Sequence, residues 1–253
     1  MTVTIAVAGK GGTGKTTFAA LLVQLLAERG TVLAIDADPS TNLNMALGLD
    51  NPDTVGDVRE EMLTAVKGGR FGAGLDKRAY LETRIAESLV ESRGVDLLAM
   101  GRPEGPGCYC AANNMLRANI DKMGSSYDFV VIDNEAGLEH LSRQTTRDVD
   151  ALILVSDPTV RGLVAAARAE ALVSELRTHV GRIGLVVNRV KGELPPALQV
   201  AIEEHRLTLW AVIPEDPAIG ALDAAGRPLA EIPPDAAIRG IVRAVAAQAG
   251  VTS

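Results

Sequence analysis

The chain is predicted to fold as a doubly wound α/β domain around a mostly parallel sheet, and three features of its 253 residues predict it. Short runs rich in Val, Ile and Leu recur along the chain, continuous and not alternating, as in strands buried on both faces. Helix-patterned stretches fall between them, so that consecutive strands can run parallel with a crossover helix. The first apolar run ends in a glycine-rich loop that leads straight into a helical stretch. A chain of this length buries a sizeable core, and a single domain over residues 1–253 is the expectation.

Taken in order, the first strand is Val3–Ala8 and the first helix is Phe18–Glu28, with Leu21–Leu26 as its apolar centre. Between them lies Gly9-Lys10-Gly11-Gly12-Thr13-Gly14-Lys15-Thr16-Thr17, a Walker A pattern in its proper strand–loop–helix setting. Glycines let backbone N–H groups converge on phosphate oxygens without Cβ clashes, and the helix N-terminus adds partial positive charge. Gly11, Gly12, Thr13, Gly14, Lys15, Thr16 and Thr17 are therefore the expected phosphate cradle of a P-loop NTPase. Lys15 reaches for the β- and γ-phosphates, and the Thr16 hydroxyl takes a place on Mg²⁺. Lys10 is an additional cation one residue after the first glycine. Lys15 already serves that loop's own phosphates, so Lys10 is expected to reach the nucleotide of a second subunit, as an arginine finger does in trans.

The second strand, Val32–Ile35, runs out into Asp36 and Asp38. Ligands of open α/β sheets sit beyond the carboxyl ends of strands, which puts both carboxylates near the phosphates, and i, i+2 spacing on an extended segment points them the same way. Lys67–Gly74 reads as a glycine-rich charged loop, Arg78–Ser92 as a helix or a helix plus strand, and Asp96–Met100 as the next strand. Gly105-Pro106-Gly107-Cys108-Tyr109-Cys110 then sets both cysteines of the chain two residues apart in a turn-rich loop before a helical pattern. A helix N-terminus lowers a thiol pKa, and thiolates are soft ligands for Zn²⁺, Ni²⁺, Cu(I) or an iron–sulfur cluster. Two thiolates are half a site; a twofold axis near the loop completes an S₄ set, the same symmetry Lys10 asks for.

Phe129–Asp133 reads as Walker B, a buried strand with the Asp133 carboxylate at its tip for a Mg²⁺-bound water, followed by Asn134-Glu135-Ala136-Gly137. Ala151–Ser156, Ile183–Asn188 and Leu209–Ile213 are the remaining strands, and Val160–Leu176 is a covering helix. Asn188 has an amide that both donates to and accepts from an adenine edge. Arg189 and Lys191 stand where a guanine reader needs Lys and Asp, so ATP is favoured over GTP. Ile232-Pro233-Pro234 stops one element, and Asp235 is expected to cap a packing helix that runs to about Gln248.

Composition narrows the class. A net charge of −7 and 3% aromatic residues speak against a nucleic-acid footprint and against base-stacking platforms. No apolar run approaches the ~18 residues of a membrane span and no basic-then-apolar leader is present, so a cytoplasmic protein with no membrane partner is expected. Two cysteines do not make a secreted disulfide framework.

The loop KGGTGKT resembles the deviant Walker A of the MinD, ArsA and nitrogenase iron-protein group. That resemblance implies an ATP-dependent homodimer with nucleotides sandwiched at its interface. It places the switch I aspartate, which aligns the attacking water, on Asp38, so that Lys10, Lys15, Asp38 and Asp133 form the catalytic set and Thr16, Asp38 and Asp133 the Mg²⁺ set. Pro214, Glu215 and Asp216 become the far side of the base pocket, and Asn134-Glu135-Ala136-Gly137 becomes switch II, with Asn134-Glu135 departing from the Thr-Pro of many relatives. GPGCYCAANNMLR after DLLAMGRPE, followed by DNEAGLEHLSR, looks like the CooC-type nickel-insertion ATPases over essentially the whole chain. This narrower resemblance implies one Ni²⁺, or Zn²⁺ in the same site, held between subunits by Cys108 and Cys110. It also implies delivery to apo carbon monoxide dehydrogenase or acetyl-CoA synthase. The competing expectations are an iron-protein-like ATPase with a subunit-bridging Fe–S cluster and a MinD/ParA-like positioning ATPase.

Overall fold

Each of the seven expected apolar runs is a strand of one sheet in the computed structural model, which describes residues 2–68, 77–101, 120–136, 148–175 and 179–251. They are β1 (Val3–Gly9), β2 (Val32–Asp36), β4 (Val95–Ala99), β5 (Phe129–Ala136), β6 (Asp148–Ser156), β7 (His179–Val190) and β8 (Leu209–Pro214). A two-residue β3 (Val90–Glu91) joins the edge antiparallel to β4, and the eight strands lie in the order β3-β4-β2-β5-β1-β6-β7-β8. All the other pairings are parallel, so the doubly wound class holds.

The helices are α1 (Lys15–Ala27), α2 (Leu43–Leu47), α3 (Val55–Lys67), α4 (Lys77–Glu87), α5 (Val160–Glu175), α6 (Pro196–Glu204), α7 (Pro217–Ala224) and α8 (Ala237–Gln248). Strand residues alternate between the two faces of the sheet. Ile5, Val7, Ala34 and Val131 pack with α1 and α8, while Ala6, Ala8, Ile35 and Ile132 pack with α3, α4, α5 and α6. On α1, Phe18, Leu22 and Leu26 are spaced four apart and fully buried, which at ~1.5–3 kcal/mol each fixes this helix, and with it the loop before it, onto the sheet.

The stretch 78–92 takes the second of its two expected readings, a helix plus a strand: α4, ending at Glu87, and β3. Three details differ from the sequence expectation. Helices α2 and α3 occupy a region where hydrophobic periodicity assigns nothing; α3 starts at a capping box in which Thr54 Oγ1 accepts from the Asp57 amide and the Asp57 carboxylate accepts from the Thr54 amide. Asp235 does not cap α8: the N-cap is Ala236, and Arg239 reaches back to the carbonyls of Ile232 and Pro233 to fix the helix entry. Strand β5 continues past Asp133 through Ala136, so Asn134 and Glu135 are strand residues. Cys108, Cys110, the loop 105–111 and Gly137 lie outside the described residues.

Candidate functional site

The loop between β1 and α1 closes on one carbonyl. The Lys10 main-chain oxygen accepts from Thr13 Oγ1 at 2.9 Å and from Lys15 Nζ at 3.2 Å, so the loop curls with the Lys15 ammonium held inside it. Thr13 is thereby buried in the loop, and its side chain braces the turn and does not line the cavity. Gly14, the N-cap of α1, has φ +88° and the Asn188 amide packed where a Cβ would stand, so only glycine fits. Among the described residues no side chain caps the first turn of α1, whose N–H groups are of the kind that bind anions. These N–H groups face a cavity of about 580 Å³ lined by Gly11, Gly12, Gly14, Lys15, Thr16 and Thr17 on one side and Asp38, Ser40 and Asn42 on the other. The Lys10 side chain points away, half exposed, with Nζ 3.9 Å from the Asp157 carboxylate.

Strands β2 and β5 end beside this loop, with Asp36 opposite Asp133 in register. Burial pushes the Asp133 carboxyl up to about 7; the nearby Thr16 hydroxyl and Lys15 pull it down, and Asp36 and Asp38 push it up. Thr16 is close enough to exert that pull, yet among the described residues neither Asp133 oxygen, both buried, has a hydrogen-bond partner of bonding geometry. A buried, unpartnered carboxylate beside a threonine hydroxyl fits a hard divalent cation of the Mg²⁺ kind. Such a cation takes one or two protein groups and completes its shell with water and phosphate oxygens. Among the described residues no trio of His, Cys, Asp or Glu is grouped to hold a metal by itself.

Asp36 and Asp38 do not point alike, because β2 ends at Asp36 and the chain turns. Asp36 is 1% exposed and accepts from the amides of Asp38 at 3.0 Å and Leu43 at 2.9 Å. Burial raises its carboxyl to about 6, against the pull of those N–H groups. Asp38 faces the cavity and also accepts from the Ser40 amide, so it orders its own turn while lining the site.

Asn134 explains the extra length of β5. Pairing with β1 steps from Val7↔Asp133 to Gly9↔Ala136, one residue more on β5, a bulge. The fully buried Asn134 amide donates to the Val7 carbonyl at 3.1 Å and so fills the missing rung. No composition or spacing signal marks this role; only a register reveals it.

The residues expected on the base side do come together: Asn188, Pro214, Glu215 and Asp216 line, with Phe18, a second cavity of about 610 Å³. It shares Thr17, Arg189 and Asp223 with the first, so the two cavities adjoin. Asn188 Nδ2 donates to the Thr13 carbonyl at 2.9 Å and its Oδ1 accepts from the Arg189 amide, which ties the tip of β7 to the loop. Asp216 caps α7 through the Ala218 amide, and Glu215 pairs with Lys191 at 3.4 Å. Arg189 is a residue that motif reasoning treats only as the absence of a guanine reader. At φ +58° it swings its guanidinium onto the Gly12 carbonyl at 3.1 Å, with Asp223 at 3.9 Å across the rim. Asp223 leaves no signal in the sequence beyond an apolar helix that buries none of its residues.

Comparison with known proteins agrees with this geometry. The family described as the CobQ/CobB/MinD/ParA nucleotide binding domain matches residues 4–229. An uncharacterized ATP-binding protein of Methanocaldococcus jannaschii is 46% identical over 90% of this chain and 91% of its own length. The carbon monoxide dehydrogenase accessory protein CooC of Rhodospirillum rubrum is 32% identical over 88% of this chain and 87% of its own. Among solved structures, the septum site-determining protein MinD of Pyrococcus horikoshii, complexed with Mg-ADP, superposes with a TM-score of 0.69. It is 24% identical over 100% of this chain and 99% of its own, a likeness of fold. Among the described residues no helix is long and apolar enough to cross a membrane.

Proposed function

The chain belongs to the CobQ/CobB/MinD/ParA nucleotide-binding family, and from that membership we propose a homodimeric, cytoplasmic Mg²⁺-dependent ATPase that carries Ni²⁺ to carbon monoxide dehydrogenase or acetyl-CoA synthase. The observation that carries the ATPase reading is the buried Asp133 carboxylate, without a hydrogen-bond partner among the described residues, beside Thr16 and Lys15, which line the loop cavity. ATP is the nucleotide supported by the M. jannaschii relative's description as ATP-binding, while the Asn188 amide, in the wall of the second cavity, already serves Thr13 and Arg189.

The chain's own groups divide the work of hydrolysis. The amides of Gly11 to Thr17 and the Lys15 ammonium hold the β- and γ-phosphates, and Asp38 aligns a water with the γ-phosphorus. The water oxygen bonds to that phosphorus as the bond to the β–γ bridging oxygen breaks, giving ADP, inorganic phosphate and a proton. Mg²⁺, held by Thr16 and Asp133 with Asp38 nearby, supplies charge neutralisation on the phosphate oxygens when bound. Lys10 of one subunit leaves Asp157 and adds its charge to the other subunit's triphosphate.

The cargo reading is supported by the CooC relative and by Cys108 and Cys110, whose thiolates from two subunits make a four-sulfur set for Ni²⁺ or Zn²⁺. The test is anaerobic Ni²⁺ titration with and without ATP, following thiolate charge-transfer absorption, molecular mass and phosphate release together. Lys15→Ala is expected to lose phosphate release at least 100-fold, and Cys108→Ala to lose stoichiometric nickel while ATP still binds. Undiminished metal per dimer in Cys108→Ala overturns the cargo reading. A brown purified protein points to the iron–sulfur alternative, and ATP-dependent binding to vesicles or DNA to the positioning one.

A further inference from the structure

One buried residue bonds to both ends of a segment that lines the phosphate cavity and to the end of a neighbouring strand. The two carboxylate oxygens of Asp36 take the amides of Asp38 and Leu43, the two ends of the segment that brings Asp38, Ser40 and Asn42 into the phosphate cavity. Its carbonyl accepts from the Met100 amide at 2.8 Å, just past the end of β4. Next to it, the Ala37 amide donates to the carbonyl of Asp133 at 2.9 Å. Met100 and Gly101 are the last described residues before the stretch that contains Cys108 and Cys110.

From this geometry we infer that Asp36 is a positioning residue for hydrolysis: its carboxylate clasps segment 38–43 so that Asp38 faces the γ-phosphate, and its main chain passes the state of that segment to the end of β4. The inference rests on the ATPase reading above. A carboxylate has an acceptor for each of two amides, whereas the amide of Asn has one acceptor and a donor that opposes the second N–H. Asp36→Asn is therefore nearly isosteric, yet opens one side of the clasp. It also removes a buried charge, so loss of the fold is not its expected effect. Lys15, Thr16 and the loop amides are untouched, which leaves nucleotide binding in place.

The experiment compares wild type and Asp36→Asn in steady-state ATP hydrolysis, with hydrogen exchange at residues 38–43 and at Met100, with and without a slowly hydrolysed ATP analogue. In wild type the analogue is expected to slow exchange at both places together. In Asp36→Asn, kcat is expected to fall 10–100-fold with KM within about threefold, and protection at Met100 to stop following the analogue. A variant with unchanged kcat, or with Met100 still following the analogue, overturns the inference while the ATPase reading stands. A wild-type protein that hydrolyses no ATP in Mg²⁺ removes the ATPase reading instead. Asp36→Ala, which cannot hold either amide, serves as the second variant, and kcat above that of Asp36→Asn counts against the clasp.

Discussion

Asp133 carries a cost that the metal-free protein cannot avoid. Its carboxyl titrates near 7 in the folded chain against 3.8 when exposed, and Asp36 near 6, because both are buried. The folded state therefore keeps protons that the unfolded state has released between about pH 4 and 7. Stability contributed by these groups is complete below pH 4 and is lost as pH rises through 6 and 7. In chelator, thermal unfolding is expected to move to lower temperature from pH 5 to pH 8. Asp133→Asn is expected to flatten that decline and raise stability at pH 8 by roughly 1–3 kcal/mol while abolishing Mg²⁺-dependent hydrolysis. A variant less stable than wild type at pH 8 in chelator contradicts this account. At this scale the grouping of the motif residues was legible: Lys15, Thr16 and Asp38 line one cavity, and the buried Asp133 lies near enough to feel all three. Asp36 was not separable from Asp38, since nothing in a strand pattern says at which residue the backbone turns.

Among the elements, β1 and β5 show where sequence reasoning stops. Both were readable because strands buried on two faces need continuous apolar runs, and Ile5–Ala8 and Val130–Ile132 are such runs. Their bulge was not, because it depends on how two distant segments pair. Asn134 at that bulge looks like a lost motif position in the sequence, yet it satisfies a buried carbonyl. Asn134→Asp keeps the shape but brings no amide donor, and Asn134→Ala brings none at all. Each is expected to cost about 1–3 kcal/mol in urea unfolding, since the Val7 carbonyl is then left without its partner. A change within 0.5 kcal/mol for both indicates that the rung is not made. Helices α2 and α3 escaped for another reason: α2 spans only Leu43–Leu47, and the start of α3 is written in the polar pair Thr54 and Asp57, not in apolar spacing.

For the whole molecule, the sheet order gathers the carboxyl ends of β1, β2 and β5 around the β1–α1 loop and those of β7 and β8 around the second cavity, the proposed places of phosphates and base. That division was implicit in the motifs, although the strand order itself cannot be read from them. The expected dimer adds a prediction that only an assembly can meet. Lys10→Ala and Asp38→Ala homodimers are each expected to be inactive. When mixed, half of the dimers pair the two variants, and each such dimer has one complete site, with Lys10 from one chain and Asp38 from the other. Phosphate release is then expected to recover to roughly a quarter of wild type, given random exchange of subunits. No recovery on mixing means that Lys10 acts within its own chain.

The bond from Asn188 to Thr13 and that from Arg189 to Gly12 have a further consequence. They tie the tip of β7 directly to the backbone of the loop between β1 and α1, so the strand that walls the second cavity and the loop that walls the first are anchored to each other by two bonds and not only through the sheet.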